Sequence, residues 1–175
     1  MMDATFKICI FGDGGVGKTA LTERYLTGVF KEDMSITLGA NFYRKTLSFE
    51  GLLVLLQIWD FGGEKQFHSL FPTYVAGANG AIFMYDITRY SSIKNIETWL
   101  KLMKEGLGDI SIPIIMVGGK LDLEKNRAIE IEMAEKLRDK YNFFKYIECS
   151  SKTGENVEQV FNDLAVEMVN KTDLV

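Results

Sequence analysis

The sequence predicts an α/β fold, a mostly parallel six-stranded sheet with helices on both faces. Three observations point there. Short apolar runs of strand length alternate with segments of helical period along the 175 residues, the pattern of repeated strand–helix units. Most of those runs are apolar throughout, as expected of strands covered on both sides. A glycine-rich loop joins the first run to the first helical segment, where a helix N-terminus faces an anion.

Thr5-Phe-Lys-Ile-Cys-Ile-Phe11 is the first strand, bounded by Gly12. Residues 12–19, Gly-Asp-Gly-Gly-Val-Gly-Lys-Thr, fit the pattern GxxxxGK[ST]. The glycines let backbone N–H groups turn in on phosphate oxygens, Lys18 reaches the β- and γ-phosphates, and the Thr19 hydroxyl joins Mg²⁺. A helix over 19–26 stops at Gly28, and residues 29–39 have no period and form a loop. Strands over 40–49 and 52–60 meet in a hairpin turn at Glu50-Gly51, the second strand nearly all apolar and so central. Gly62-Gly63 opens a second irregular segment leading into a helix around Gln66–Ala76. Gly80–Asp86 is a buried strand, and Ser91 and Ser92 are cap candidates before a helical face of Ile93, Ile96, Leu100 and Met103. Ile112–Gly118 is the next strand, with Pro113 near its start. Met133, Ala134 and Leu137 mark a helix, Phe144–Cys149 the last strand, and Val157, Val160, Phe161, Leu164, Met168 and Val169 the closing helix.

The length suits one domain over residues 1–175, and 47% hydrophobic residues suffice for one core. A net charge of −4 without any basic run argues against a nucleic-acid partner. Cys9 and Cys149 fall in predicted buried strands and read as small core hydrophobes in a reducing compartment. His68, the single histidine, reads as exposed. No apolar run reaches membrane-span length, and the N-terminus shows neither a signal-peptide core nor a myristoylation glycine. Ligands in such sheets bind at the carboxyl ends of the strands. The phosphate loop, Asp60, Lys120 with Asp122, and Ser150-Ser151-Lys152 all follow strand ends and converge on one rim.

These residues resemble the small GTPases of the Ras superfamily, most closely the Rab branch, from Phe6 to about Val169. The matching pieces are GDGGVGKT (12–19), TLG (37–39), WDFGG (59–63), GGKLD (118–122) and ECSSKTGENV (148–157), with GANGAIFMYDIT (77–88) and NIETWL (95–100) as Rab-like touches. The resemblance implies a G domain that binds GTP or GDP with Mg²⁺. It gives Thr37 a hydroxyl on Mg²⁺ and an N–H on the γ-phosphate, Asp60 a hold on Mg²⁺ through water, and Gly63 an N–H on the γ-phosphate. It assigns nucleotide contact to Asp13, Gly14, Gly15, Val16, Gly17, Lys18, Thr19, Ala20 and Leu123. Phe30 stands edge-on to the base or in the core, and Lys120 packs along the base. Asp122 accepts from the guanine N1–H and N2–H₂, which adenine does not offer. Ser150, Ser151 and Lys152 belong to the loop whose backbone donors face the guanine O6. Catalysis falls to Lys18, Thr37, Gly63 and Glu64.

Two positions depart from the family pattern. Glu64 replaces the glutamine that orients the attacking water; a carboxylate cannot donate and repels the γ-phosphate, so hydrolysis is expected to be slow, with Glu64 turned outward or carrying a proton. A rival idea makes Glu64 a general base. Gly119 replaces the asparagine of NKxD, so guanine affinity is expected to fall, and Gly119→Asn to tighten GDP binding. Gly62 and Phe61 replace the usual alanine and threonine, and no arginine sits in the loop before Thr37. The expectation is a switch whose residues 33–45 and 59–76 meet effectors, an activating protein and an exchange factor. Phe42, Trp59 and Tyr74 form either a presented aromatic triad or plain core. Alternatives are a GTP-holding scaffold with little hydrolysis, and a nucleotide kinase, for which no arginine-rich lid is visible. A cytoplasmic protein is expected, on membranes only through a lipidated tail that this chain does not contain.

Overall fold

The computed structural model describes residues 2–49 and 51–172. Six strands, β1 (Ala4–Phe11), β2 (Ala40–Phe49), β3 (Leu52–Phe61), β4 (Gly80–Asp86), β5 (Ile114–Gly119) and β6 (Lys145–Glu148), form one sheet in the order β2-β3-β1-β4-β5-β6. Every neighbouring pair is parallel except β2 with β3. The helices are α1 (Lys18–Thr27), α2 (Phe71–Val75), α3 (Ser91–Lys94), α4 (Ile96–Leu107), α5 (Ile131–Lys140) and α6 (Val157–Asn170). The α/β architecture is the one expected.

Side chains alternate across β1 and set both faces. Ile8 and Ile10 join Leu21, Tyr25, Phe161 and Leu164 under α1 and α6, while Cys9 and Phe11 join Phe83, Trp99 and Met103 on the opposite face. Tyr25 and Phe161 stack at 3.9 Å, tying α1 to α6. Both cysteines are free and buried, and burial pushes each thiol up to about 12. β1 lies between β3 and β4, so the sheet order reverses at its carboxyl end, over residues 12–17. That switch point is where the fold leaves a crevice for a ligand.

Some boundaries differ from expectation. The segment expected as a helix over 66–76 divides into a 3₁₀ turn (Lys65–Leu70) and α2. Pro72 falls in the first turn of α2, where its missing N–H is no loss. The helix after Ser91 breaks at Asn95 into α3 and α4, and Ser92 caps neither. Its buried hydroxyl instead closes a turn, donating to Arg89 O at 2.6 Å and accepting the Asp86 N–H at 3.0 Å. β5 starts after Pro113 and includes Gly119. In the hairpin, Gly51 has φ 86°, and Glu50 lies outside the described residues.

Candidate functional site

A cleft of about 480 Å³ opens at this rim, lined by Gly14, Gly15, Val16, Gly17, Lys18, Thr19, Ala20, Phe30, Thr37, Gly63, Glu64, Lys120, Asp122, Leu123, Ser151 and Lys152. Its floor is the loop between β1 and α1. Gly12, Gly15 and Gly17 sit at φ 138°, 73° and 104°, and a Cβ on Gly12 would collide with the Met84 carbonyl; glycine is required there. Buried Lys18 donates from Nζ to the Gly12 and Asp13 carbonyls at 2.8 Å each. Burial lowers its pKa to about 8, against the pull of Asp60 and Asp13.

At one end of the loop three oxygens converge. Thr19 Oγ1 donates to Asp60 Oδ2 at 2.5 Å and stands 2.7 Å from Thr37 Oγ1. Asp60 is fully buried beneath the cleft lining, and its Oδ1 has no hydrogen-bond partner. Burial pushes its carboxyl up to about 6, with the Thr19 hydroxyl and Lys18 opposing the rise. An orphaned carboxylate oxygen beside two hydroxyls fits a hard cation that takes its other ligands from water and phosphate, as Mg²⁺ does.

The opposite end is held by an ion pair and a short hydrogen bond. Lys120, at φ 68°, pairs with Asp86 Oδ2 at 2.7 Å. Burial opposes the Asp86 charge, but Lys120 and Thr88 outweigh it and hold the carboxyl below the usual carboxylate range. Asp122 Oδ1 accepts the hydroxyl of fully buried Ser150 at 2.6 Å. Ser150 also spends its backbone N–H on Glu155 O at 3.0 Å, so it braces Asp122 while Ser151 and Lys152 face the cleft. Phe30 is half-buried at the rim and lies outside both core clusters.

Asp13 contributes only backbone to the loop. Its carboxylate turns away into the helical layer and accepts from Asn95 Nδ2 at 2.7 Å and Trp99 Nε1 at 2.9 Å. Gly63 rests on the loop, since a Cβ there would collide with the backbone of Gly12, Asp13 and Gly14. Gly62 donates to Gly39 O at 2.7 Å, and its missing Cβ makes room for the Thr37 carbonyl, which leaves no space for the alanine of the pattern. Phe61 is core, with Phe71 at 5.1 Å and Trp99 at 6.2 Å. Glu64 is turned inward, against the outward position that was one of its two expected alternatives, and its Oε1 occupies the space that a Cβ on Gly14 would need. His68 is half-buried rather than exposed, its ring 4.4 Å from Trp99. Phe42, 57% exposed, meets Trp59 edge-on at 4.6 Å and Tyr74 at 6.2 Å, so the triad is a surface cluster with its roots in the core.

Sequence reasoning missed Met84, Asp86, Asn95, Trp99 and Arg89. Met84 and Trp99 look like ordinary core residues in sequence. Asp86 carried a usable signal, an acid ending an otherwise apolar strand at the ligand-bearing rim.

A model of the Ras family matches residues 7–170. The chain belongs to the Ras family. Ras-related protein Rab-13 of Rattus norvegicus is 35% identical over 170 residues, covering 97% of this chain and 83% of its own. Ras-related protein Rab-21 of Homo sapiens is 38% identical over 165 residues, covering 94% of this chain and 72% of its own. Ras-family proteins of the Rab branch are GTPases that bind GTP and GDP, typically with Mg²⁺, and act as switches through regulators and effectors. Among the described residues, no helix is long and apolar enough to cross a membrane.

Proposed function

We propose that the chain, as one G domain over residues 1–175, is a Rab-like switch that binds GTP or GDP with Mg²⁺ and hydrolyses GTP slowly. One observation carries this reading: a glycine-rich loop with its buried lysine, a three-oxygen cation set and a braced Asp122 share a single cleft. Lys18 offsets phosphate charge, and the backbone N–H groups of residues 14–19 and Gly63 donate to phosphate oxygens. Thr19, Thr37 and Asp60 would hold Mg²⁺, which would supply positive charge against the charge of the phosphates. Asp122 accepts from the guanine edge, held to its angle by Ser150, while Lys120 and Phe30 flank the base.

Glu64 sets the rate. Its carboxylate lies over Gly14, and both residues line the cleft. An ionised carboxylate accepts from that water but adds repulsion against the phosphate, and it has no N–H with which to donate. The γ-phosphate orders residues 33–40 and 61–72, and its loss releases them. Effectors, an activating protein and an exchange factor meet residues 33–45 and 59–76, where Phe42, Trp59 and Tyr74 present an aromatic surface. The setting is cytoplasmic, with membrane attachment only if the protein carries a lipidated tail.

A second reading, a GTP-holding scaffold with little or no hydrolysis, is favoured by the same inward Glu64 and by Gly119. Single-turnover hydrolysis with and without a candidate activating protein separates them. Turnover supports the switch, and stable GTP under both conditions supports the scaffold. Equal uptake of ATP, or indifference to both nucleotides at millimolar concentration, refutes the guanine-nucleotide reading altogether.

A further inference from the structure

Arg89 lies in the connection from β4 to α3, 75 residues from Gly14 in sequence, yet its side chain ends on the phosphate loop. Its backbone is fixed: Arg89 N–H donates to Asp86 O at 3.0 Å, and Arg89 O accepts Ser92 N–H at 3.0 Å and Ser92 Oγ at 2.6 Å. From that anchored turn Nη2 donates to Gly14 O at 2.6 Å, and Nη1 comes within 3.8 Å of where a Cβ on Gly15 would stand. Arg89 Nε is buried and has no hydrogen-bond partner, so the guanidinium is committed to this one peptide.

A trans peptide points its C=O and its N–H in opposite directions. With the Gly14 oxygen held outward by Arg89, the N–H of Gly15 faces the other way, into the cleft that both glycines line. A charge-assisted bond on the oxygen also polarises the peptide and makes that N–H a stronger donor. We propose that Arg89 is a positioning residue for the phosphate loop, fixing and polarising the Gly15 N–H toward the phosphates of bound GTP from outside the cleft. This rests on the guanine-nucleotide reading above. Gly15 itself, at φ 73°, has no side chain to do this work.

Wild type, Arg89→Met and Arg89→Lys are compared as Mg·GDP complexes by the amide resonance of Gly15, and in single-turnover GTP hydrolysis, with melting temperatures as the folding check. In Arg89→Met the Gly15 amide proton moves upfield and hydrolysis falls roughly tenfold, a fraction of the effect of deleting a transition-state donor outright. Arg89→Lys, which keeps the charge, restores most of both. A Gly15 resonance unmoved in folded Arg89→Met, or Arg89→Lys no better than Arg89→Met, overturns the proposal while wild-type GDP binding stands. If wild type hydrolyses too slowly to time, the resonance decides. Wild type that takes up no GDP overturns the parent reading instead.

Discussion

Gly119→Asn puts back the amide that the family pattern carries, and the structure predicts that it fails alone and succeeds together with Met84→Val. A Cβ on Gly119 would come within 3.3 Å of Val16 O, so an asparagine there reaches the phosphate loop. One such neutral hydrogen bond contributes about 0.5–1.5 kcal/mol, or roughly two- to thirteen-fold in affinity. The obstacle is Met84, 1% exposed, whose Cε fills the space the new Cβ needs and lies 3.5 Å from the Cβ position of Gly17. Overpacking a filled core costs about 1–3 kcal/mol, toward the low end here because only the end of a flexible thioether must swing away. A cost near 1 kcal/mol against a gain of about 0.5–1.5 kcal/mol means that, contrary to the expectation from sequence, the single substitution moves GDP affinity by no more than about twofold either way. Met84→Val alone lowers stability by about 1–2 kcal/mol and opens the gap. Gly119→Asn in that background tightens GDP binding several-fold. Calorimetric titration of GDP into the four proteins of the cycle gives a coupling energy of about 1–3 kcal/mol. Additivity within about 0.5 kcal/mol would refute the argument that Met84 occupies the asparagine's place.

Three further outcomes follow from contacts in or beside the cleft. Glu64→Gln speeds single-turnover hydrolysis by roughly tenfold or more, because the amide both donates and accepts; a rate no higher than wild type would favour Glu64 as a base. Ser150→Ala removes the donor to the Asp122 carboxylate, a charged hydrogen bond of about 1.5–3 kcal/mol, and should weaken GDP about tenfold or more while leaving phosphate-only ligands such as pyrophosphate unaffected. Glu148→Gln leaves Arg127, its bidentate partner at 2.6 and 2.7 Å, largely buried without its counter-charge and costs about 3 kcal/mol near neutrality. Burial opposes the Glu148 charge, but Arg127 and the Tyr146 hydroxyl prevail and hold its pKa below the usual range. A lowered folded pKa contributes stability that is full above the unfolded value and fades as pH falls through the folded one. The gap in unfolding free energy between wild type and Glu148→Gln should therefore close as pH falls below the ordinary glutamate value of 4.5; a gap constant with pH would mean that packing, not charge, holds the pair.

The parts of the site legible in the sequence are those whose requirement is written in residue type at a fixed spacing. A backbone nest needs glycines at 12, 15 and 17, a cation needs oxygens such as Thr19 and Asp60, and a strand covered on both faces needs an unbroken apolar run such as Ala81 to Tyr85. The illegible parts depend on which way a side chain turns once distant elements are packed. Asp13 belongs to the loop by sequence, yet Asn95 and Trp99 draw its carboxylate into the helical layer. Ser150 sits in the base-facing loop, yet its hydroxyl serves Asp122. The departures at Glu64 and Gly119 were visible as losses, but the residues that adjust to them were not. Glu64 fits inward only because position 14 has no Cβ, and Gly119 leaves no hole only because Met84 fills it. Each departure is thus half of a pair joined across elements. Restoring the asparagine at 119 without changing Met84 therefore meets a structure already built around its absence, whereas a glutamine at 64, the size of the glutamate it replaces, meets no such obstacle.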